Sequence, residues 1–159
     1  MRIKYIIDED FVNYKKPSMF IAFPSCTFKC EKECGVRCCQ NSELTTTPDV
    51  MISPQQVIER YMYNPITSAF VLGGLEPFDS FGELSHLLYL IRNTYNCEDD
   101  IVIYTGYNKG EIMRELEIIG SYKNIIVKFG RFIPNQDAHY DEVLGVKLMS
   151  KNQFAERIS

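Results

Sequence analysis

Apolar positions along this chain follow two alternating rhythms. Short dense runs, SMFIAF (18–23), SAFVLGG (68–74), DIVIYTG (100–106) and NIIVKFG (124–130), have the character of buried strands. Between them, SPQQVIERYMY (53–63), FGELSHLLYLIRNTY (81–95) and NKGEIMRELEIIG (108–120) place apolar residues at helical spacing, with Leu84, Leu87, Leu88 and Ile91 on one stripe. Local signals agree. Ser53 is positioned as an N-cap with Pro54 at the first helical residue, and Gly120 falls near a C-cap. A late strand is expected within EVLGVKLMS (142–150). Strand and helix in alternation predict an α/β domain with a mainly parallel sheet. SMFIAF is its first strand, and a long irregular loop follows directly.

The length of 159 residues suits one domain, residues 1–159, with a sizeable core. Apolar residues at 45% and charged residues at 24% are ordinary globular values, which argues against disorder. A net charge of −4, with no lysine and arginine block interleaved with aromatics, gives no footprint for nucleic acid. No apolar run approaches the roughly 20 residues that span a bilayer, and the amino-terminal stretch has no signal-peptide core. A cytoplasmic protein with reduced thiols and no membrane partner is expected.

Against that background the loop after the first strand is unusual. Residues 25–41, SCTFKCEKECGVRCCQN, hold five of the six cysteines, spaced Cys26-x3-Cys30-x3-Cys34-x3-Cys38-Cys39. Disulfides are the plain reading, but a reducing compartment and an adequate core remove the need for them. A structural zinc site usually uses two close pairs of thiolates, and no CxxC pair occurs here. An iron–sulfur cluster remains, since a crowded loop of cysteines is a common way to hold one. Cys97 stands alone, as a small hydrophobe would. His86 and His139 have no interpretable partner.

Two glycine turns sit at the ends of later strands. GGLEP (73–77) is on its own an ordinary turn, yet its glycines admit a ligand close to backbone carbonyls and Glu76 can accept hydrogen bonds from an ammonium group. DIVIYTGY (100–107) ends in a second glycine turn. In α/β folds, ligands bind where loops leave the carboxyl ends of strands, so the cysteine loop and both turns are expected on one rim.

Together these motifs resemble the radical S-adenosylmethionine superfamily, and within it the activating proteins of anaerobic ribonucleotide reductase. The resemblance runs from DEDFVNYKKPSMFI to the last residues. That superfamily holds a 4Fe–4S cluster by three cysteines in a C-x3-C-x2-C motif, leaving one iron for S-adenosylmethionine. Here CTFKC supplies Cys26 and Cys30, while the third ligand is late. CQN at residues 39–41 matches the family's cysteine, any residue, asparagine pattern, which favours Cys39, with Cys34 as the competitor. GGLEP is similar to the family's GGEP turn, which implies that Gly73, Gly74, Glu76 and Pro77 bind the cofactor's methionine amine. YTGY implies that Thr105 and Gly106 lie near its sugar or methionine part. The tail is similar to the family's S-x-NQ ending, which puts Asn152 and Gln153 on the open side of the site or on the partner surface, the plain alternative being polar residues near a terminus.

The resemblance implies a small, partial (incomplete) β/α barrel with the cluster loop after its first strand. It further implies reductive cleavage of S-adenosylmethionine to a 5′-deoxyadenosyl radical, and formation of a glycyl radical on the large anaerobic ribonucleoside-triphosphate reductase. A flavodoxin or ferredoxin would supply the electron. Two other readings stay open: the same chemistry on another glycyl radical enzyme, a peptide or a small molecule, and a non-catalytic zinc or iron–sulfur adaptor.

Overall fold

Four of the apolar runs form the parallel centre of one sheet. The computed structural model describes residues 1–159. Its strands are β1 (Arg2–Ile3), β2 (Ile6–Asp10), β3 (Ser18–Phe23), β4 (Val50–Met51), β5 (Ala69–Gly74), β6 (Asp100–Tyr104), β7 (Ile125–Phe129), β8 (His139–Asp141), β9 (Val146–Leu148) and β10 (Phe154–Arg157). Six of them form the main sheet in the order β10-β7-β6-β5-β3-β2. The pairings β3/β5, β5/β6 and β6/β7 are parallel, whereas β2/β3 and β10/β7 are antiparallel. The helices are α1 (Lys29–Cys34), α2 (Pro54–Met62), α3 (Phe81–Tyr89) and α4 (Met113–Ile119).

Both faces of the sheet are covered, which is why its central strands read as continuous apolar runs. Met19, Ile21 and Phe23 point to one face and join Leu84, Leu87 and Leu116 from the helices in a core of 24 buried residues. Phe20 and Ala22 point to the other face, in a core of nine that includes Tyr14, Leu144 and Leu148. Leu144 and Leu148 come from the antiparallel β8/β9 ribbon, which lies on that second face.

The sheet is open, bounded by antiparallel β2 and β10, and no closed barrel forms. Several expectations need correction. SMFIAF is the third strand of the chain, although it is the first of the parallel set. β2 escapes a hydrophobic reading because its sequence is IIDED, yet its acids have partners: Asp8 pairs with Arg60, and Asp10 accepts from Val12 N and Asn13 Nδ2. β10, with only FAER, is held by backbone pairing to β7.

The helices also differ in detail. α2 begins as read, with Ser53 and Gln56 exchanging a reciprocal capping box. The helix after β5 changes to a π-helical turn at Leu90–Thr94, where Tyr95 N donates to Leu90 O. The next splits into a 3-10 turn, Lys109–Glu111, and α4. Gly120 caps α4 at φ −66°, so left-handed geometry is not its role there. The cysteine loop is not wholly irregular either. It contains α1 between left-handed residues Phe28 and Gly35, then a 3-10 turn at Ser42–Thr46. No helix is long and apolar enough to cross a membrane.

Candidate functional site

The carboxyl ends of β3, β5 and β6 meet at one cavity of about 400 Å³. Cys26, Cys30, Cys39, Gly73, Gly74, Glu76, Thr105 and Gly106 all line it. Glycine is required at position 74 in particular. Its φ is +81°, and a Cβ there would stand 2.8 Å from the Ala22 Cα on the neighbouring strand. The turn is tied to the cysteine loop by backbone and side chain: Glu76 N donates to Ser25 O at 2.7 Å, and Asn41 Nδ2 donates to Gly74 O at 2.7 Å. Asn41, the last residue of CQN, thus joins the two motifs physically.

The thiols divide into two sets. Cys26, Cys30 and Cys39 face the cavity. Cys34 does not, and its Sγ lies 2.7 Å from that of Cys38. Burial pushes the Cys26 thiol up to about 12 against a hydrogen bond from Phe28 N, with the nearby Glu76 and Asp79 charges adding to the rise. Burial raises Cys30 too, as does its contact with Cys39. Both shifts favour the protonated thiol, so binding a metal centre at Cys26 and Cys30 must release protons. No three Cys, His, Asp or Glu side chains are gathered closely enough to grip a single ion. A 4Fe–4S cluster offers separate irons to separate thiolates, and three thiols on the wall of one cavity suit that donor pattern.

Glu76 lies on the same wall and is only 6% exposed. It accepts from Thr105 Oγ1 at 2.7 Å, Gly106 N at 2.8 Å and Phe78 N at 3.2 Å. A carboxylate has about four acceptor positions, so one remains for a ligand donor. Burial raises its pKa to about 7, although all three hydrogen bonds act to lower it. Thr105 therefore positions Glu76 with its own hydroxyl, a role that the sequence did not suggest. Pro77 is buried and opens the 3-10 turn Pro77–Ser80, away from the cavity lining.

A second tier of contacts holds the cysteine loop in place. Thr27 N donates to Asp79 at 2.6 Å, and the Tyr107 hydroxyl donates to the other Asp79 oxygen at 2.5 Å. Arg131, 5% exposed, makes a two-pronged contact with Glu111, both distances 2.7 Å, and reaches Glu33 of α1 at 3.2 Å. Lys29 lies 4.5 Å above the Tyr107 ring. Sequence reading missed Asp79, Tyr107, Glu111 and Arg131, because each matters through a contact distant in the chain. In the tail, Gln153 lines the cavity but also accepts from Met149 N and Ser150 N, and Asn152 donates to Arg131 O. Their hydrogen bonds shape the turn that packs against β7. Cys97 is in the core, and His86 is exposed.

The chain matches the family of 4Fe–4S single cluster domains over residues 18–153. It belongs to that family and is an iron–sulfur protein, and the zinc alternative gives way. No curated protein and no solved structure matches it.

Proposed function

We propose that this chain is a radical S-adenosylmethionine enzyme of the glycyl radical activating type, with residues 1–159 acting as one domain. In this reading Cys26, Cys30 and Cys39 hold the 4Fe–4S cluster, and the open sheet is a partial β/α barrel whose parallel strands succeed one another as neighbours. The observation that carries it is the shared cavity: three thiols, the Gly73–Glu76 turn and the Thr105–Gly106 turn line one space at the strand ends.

The bound cluster would supply the electron that cleaves S-adenosylmethionine to methionine and a 5′-deoxyadenosyl radical, which takes a hydrogen atom from a glycine Cα of the large reductase. The chain's own residues bind and orient. Glu76 offers its free acceptor position to the ligand's ammonium, and Gly74 brings the backbone close. Asn41 keeps the cysteine loop against that turn. Asp79, fixed by the Tyr107 hydroxyl, holds Thr27 beside Cys26, and Arg131 reaches α1 through Glu33. A flavodoxin or ferredoxin is the proposed electron donor.

The test is anaerobic reconstitution with iron and sulfide, reduction, and electron paramagnetic resonance with and without S-adenosylmethionine, beside an assay for 5′-deoxyadenosine. A reduced-cluster signal that changes on adding S-adenosylmethionine, with 5′-deoxyadenosine formed, supports the reading. A cluster signal indifferent to S-adenosylmethionine, with no cleavage, leaves an iron–sulfur adaptor.

A further inference from the structure

Two thiols of the cysteine loop lie outside the proposed ligand set. Cys34 ends α1 and Cys38 follows four residues later, and neither lines the cavity. Their sulfurs nevertheless lie 2.7 Å apart, and both residues are partly exposed. A built turn brings them together. Gly35, at φ +69°, reverses the chain after α1, and its N–H donates to Glu31 O at 2.9 Å. The carboxylate of the same Glu31 accepts from Cys39 N at 3.3 Å, next to Cys38. One residue thus pins both ends of the turn at 35–37.

Neither a metal ion nor a structural staple accounts for the pair. Two sulfurs fall short of the four donors that zinc takes, and no third Cys, His, Asp or Glu side chain is gathered beside them to grip an ion. A disulfide here would close a ring of only five residues, which constrains an unfolded chain far less than a long loop does. Where disulfides form in reducing compartments, they are usually transient, catalytic or redox-sensing. Two accessible thiols held in contact are suited to that use, because once one has reacted with an external disulfide the other is already placed to complete the exchange.

We propose that Cys34 and Cys38 form a reversible dithiol–disulfide site, oxidised by a small-molecule disulfide. One cysteine sulfur, its proton passed to solvent, attacks a sulfur of the incoming disulfide. That S–S bond breaks, a mixed disulfide forms, and the first small thiol leaves with a proton from solvent. The second cysteine then attacks the protein sulfur of the mixed disulfide, forms the Cys34–Cys38 bond and frees the second small thiol in the same way. Two cysteine thiols are oxidised by two electrons in all, and one small disulfide is reduced to two thiols. The closed ring lies wholly between Cys30 and Cys39 in the chain and uses neither. The inference rests on the proposed assignment of Cys26, Cys30 and Cys39 as the cluster ligands.

The experiment holds anaerobically reconstituted protein in a buffer of oxidised and reduced glutathione, alkylates the remaining thiols after denaturation, and maps the disulfides by trypsin and mass spectrometry. Cleavage after Lys32, Arg37 and Arg60 separates Cys34 from Cys38, so peptides 33–37 and 38–60 should appear as one linked species that dithiothreitol splits. The unaltered protein should lose both thiols to alkylation, retain no glutathione, and keep its iron and sulfide. Cys34→Ser and Cys38→Ser should each lose the linked species and carry one glutathione on the cysteine that remains, with the cluster still bound. Absence of the linked species from the oxidised unaltered protein, arrest there at the mixed disulfide, linkage only in chains that have lost their iron, or linkage surviving in Cys38→Ser through Cys39 would each overturn the inference and leave the ligand assignment standing. Loss of the cluster from Cys34→Ser would instead show that assignment to be wrong, and the inference would fall with it.

Discussion

Buried charge occurs at both ends of the parallel strands, and Asp100 at one end is treated oppositely to Glu76 and Lys128 at the other, where Arg131 alone is paired. At the amino end, Asp100 opens β6 with a side chain 7% exposed and takes Lys16 at 2.5 Å, Arg157 at 2.8 Å and the Tyr14 hydroxyl at 3.0 Å. Burial alone would raise its pKa, but these donors prevail and hold it at about 2. At the carboxyl end, Glu76 has only uncharged donors and rises to about 7, while Lys128 of β7 donates only to the Gly130 carbonyl and falls to about 8. A charge that the protein pairs internally stabilises the fold; one left with neutral partners is suited to a guest.

The most severe way to test that division is to remove the thiols. Cys26→Ser, Cys30→Ser and Cys39→Ser should each abolish the cluster, whereas Cys34→Ser and Cys38→Ser should retain it, as read by iron and sulfide per chain after anaerobic reconstitution. Retention in Cys39→Ser with loss in Cys34→Ser would transfer the third ligand to Cys34 and leave the cavity without its guest. Next in size is the backbone of the rim. Gly74→Ala forces a left-handed alanine and a 2.8 Å approach to Ala22, so unfolding should show a loss of about 3 kcal/mol. Gly82→Ala, in α3 with open space around the added methyl, should be neutral or slightly stabilising by comparison.

Glu76→Gln comes third. It keeps the shape but removes the charge that an ammonium would meet, so S-adenosylmethionine affinity should fall about tenfold while cluster content holds. Unchanged affinity in equilibrium dialysis would mean that the turn does not receive the amine.

These residues also mark where sequence was informative. The parallel strands, the Ser53 cap and the convergence of three loops were legible because each depends on local pattern and on the general behaviour of strand ends. β2 and β10 were not, since IIDED and FAER owe their strand conformation to cross-strand bonds and side-chain partners rather than to apolar alternation. The separation of Cys34 from Cys39 was half legible: the asparagine pattern favoured Cys39, but only three dimensions put Cys34 beside Cys38. Lys128 left a signal that went unused, a lone cation inside a run that otherwise reads as buried strand. Arg131 left none, because its partners Glu33 and Glu111 come from separate elements.

The smallest effect probes the amino end directly. Asp100 has a folded pKa depressed from 3.8 to about 2, so its ionised form contributes stability that is fully present above the unfolded value and is lost as pH falls through the folded one. Lys16 and Arg157 are each nearly half exposed, which screens the pairing and reduces the contribution to about 1 kcal/mol. Unfolding followed from pH 5 down to pH 2 should therefore show a decline in the unaltered protein that is shallower by about that amount in Asp100→Asn. The substituted protein should be the less stable of the two at neutral pH, and the two curves should approach one another in acid. Parallel curves across that window would mean that Asp100 titrates alike in folded and unfolded chains, and the contrast between paired and unpaired charges would lose its structural half.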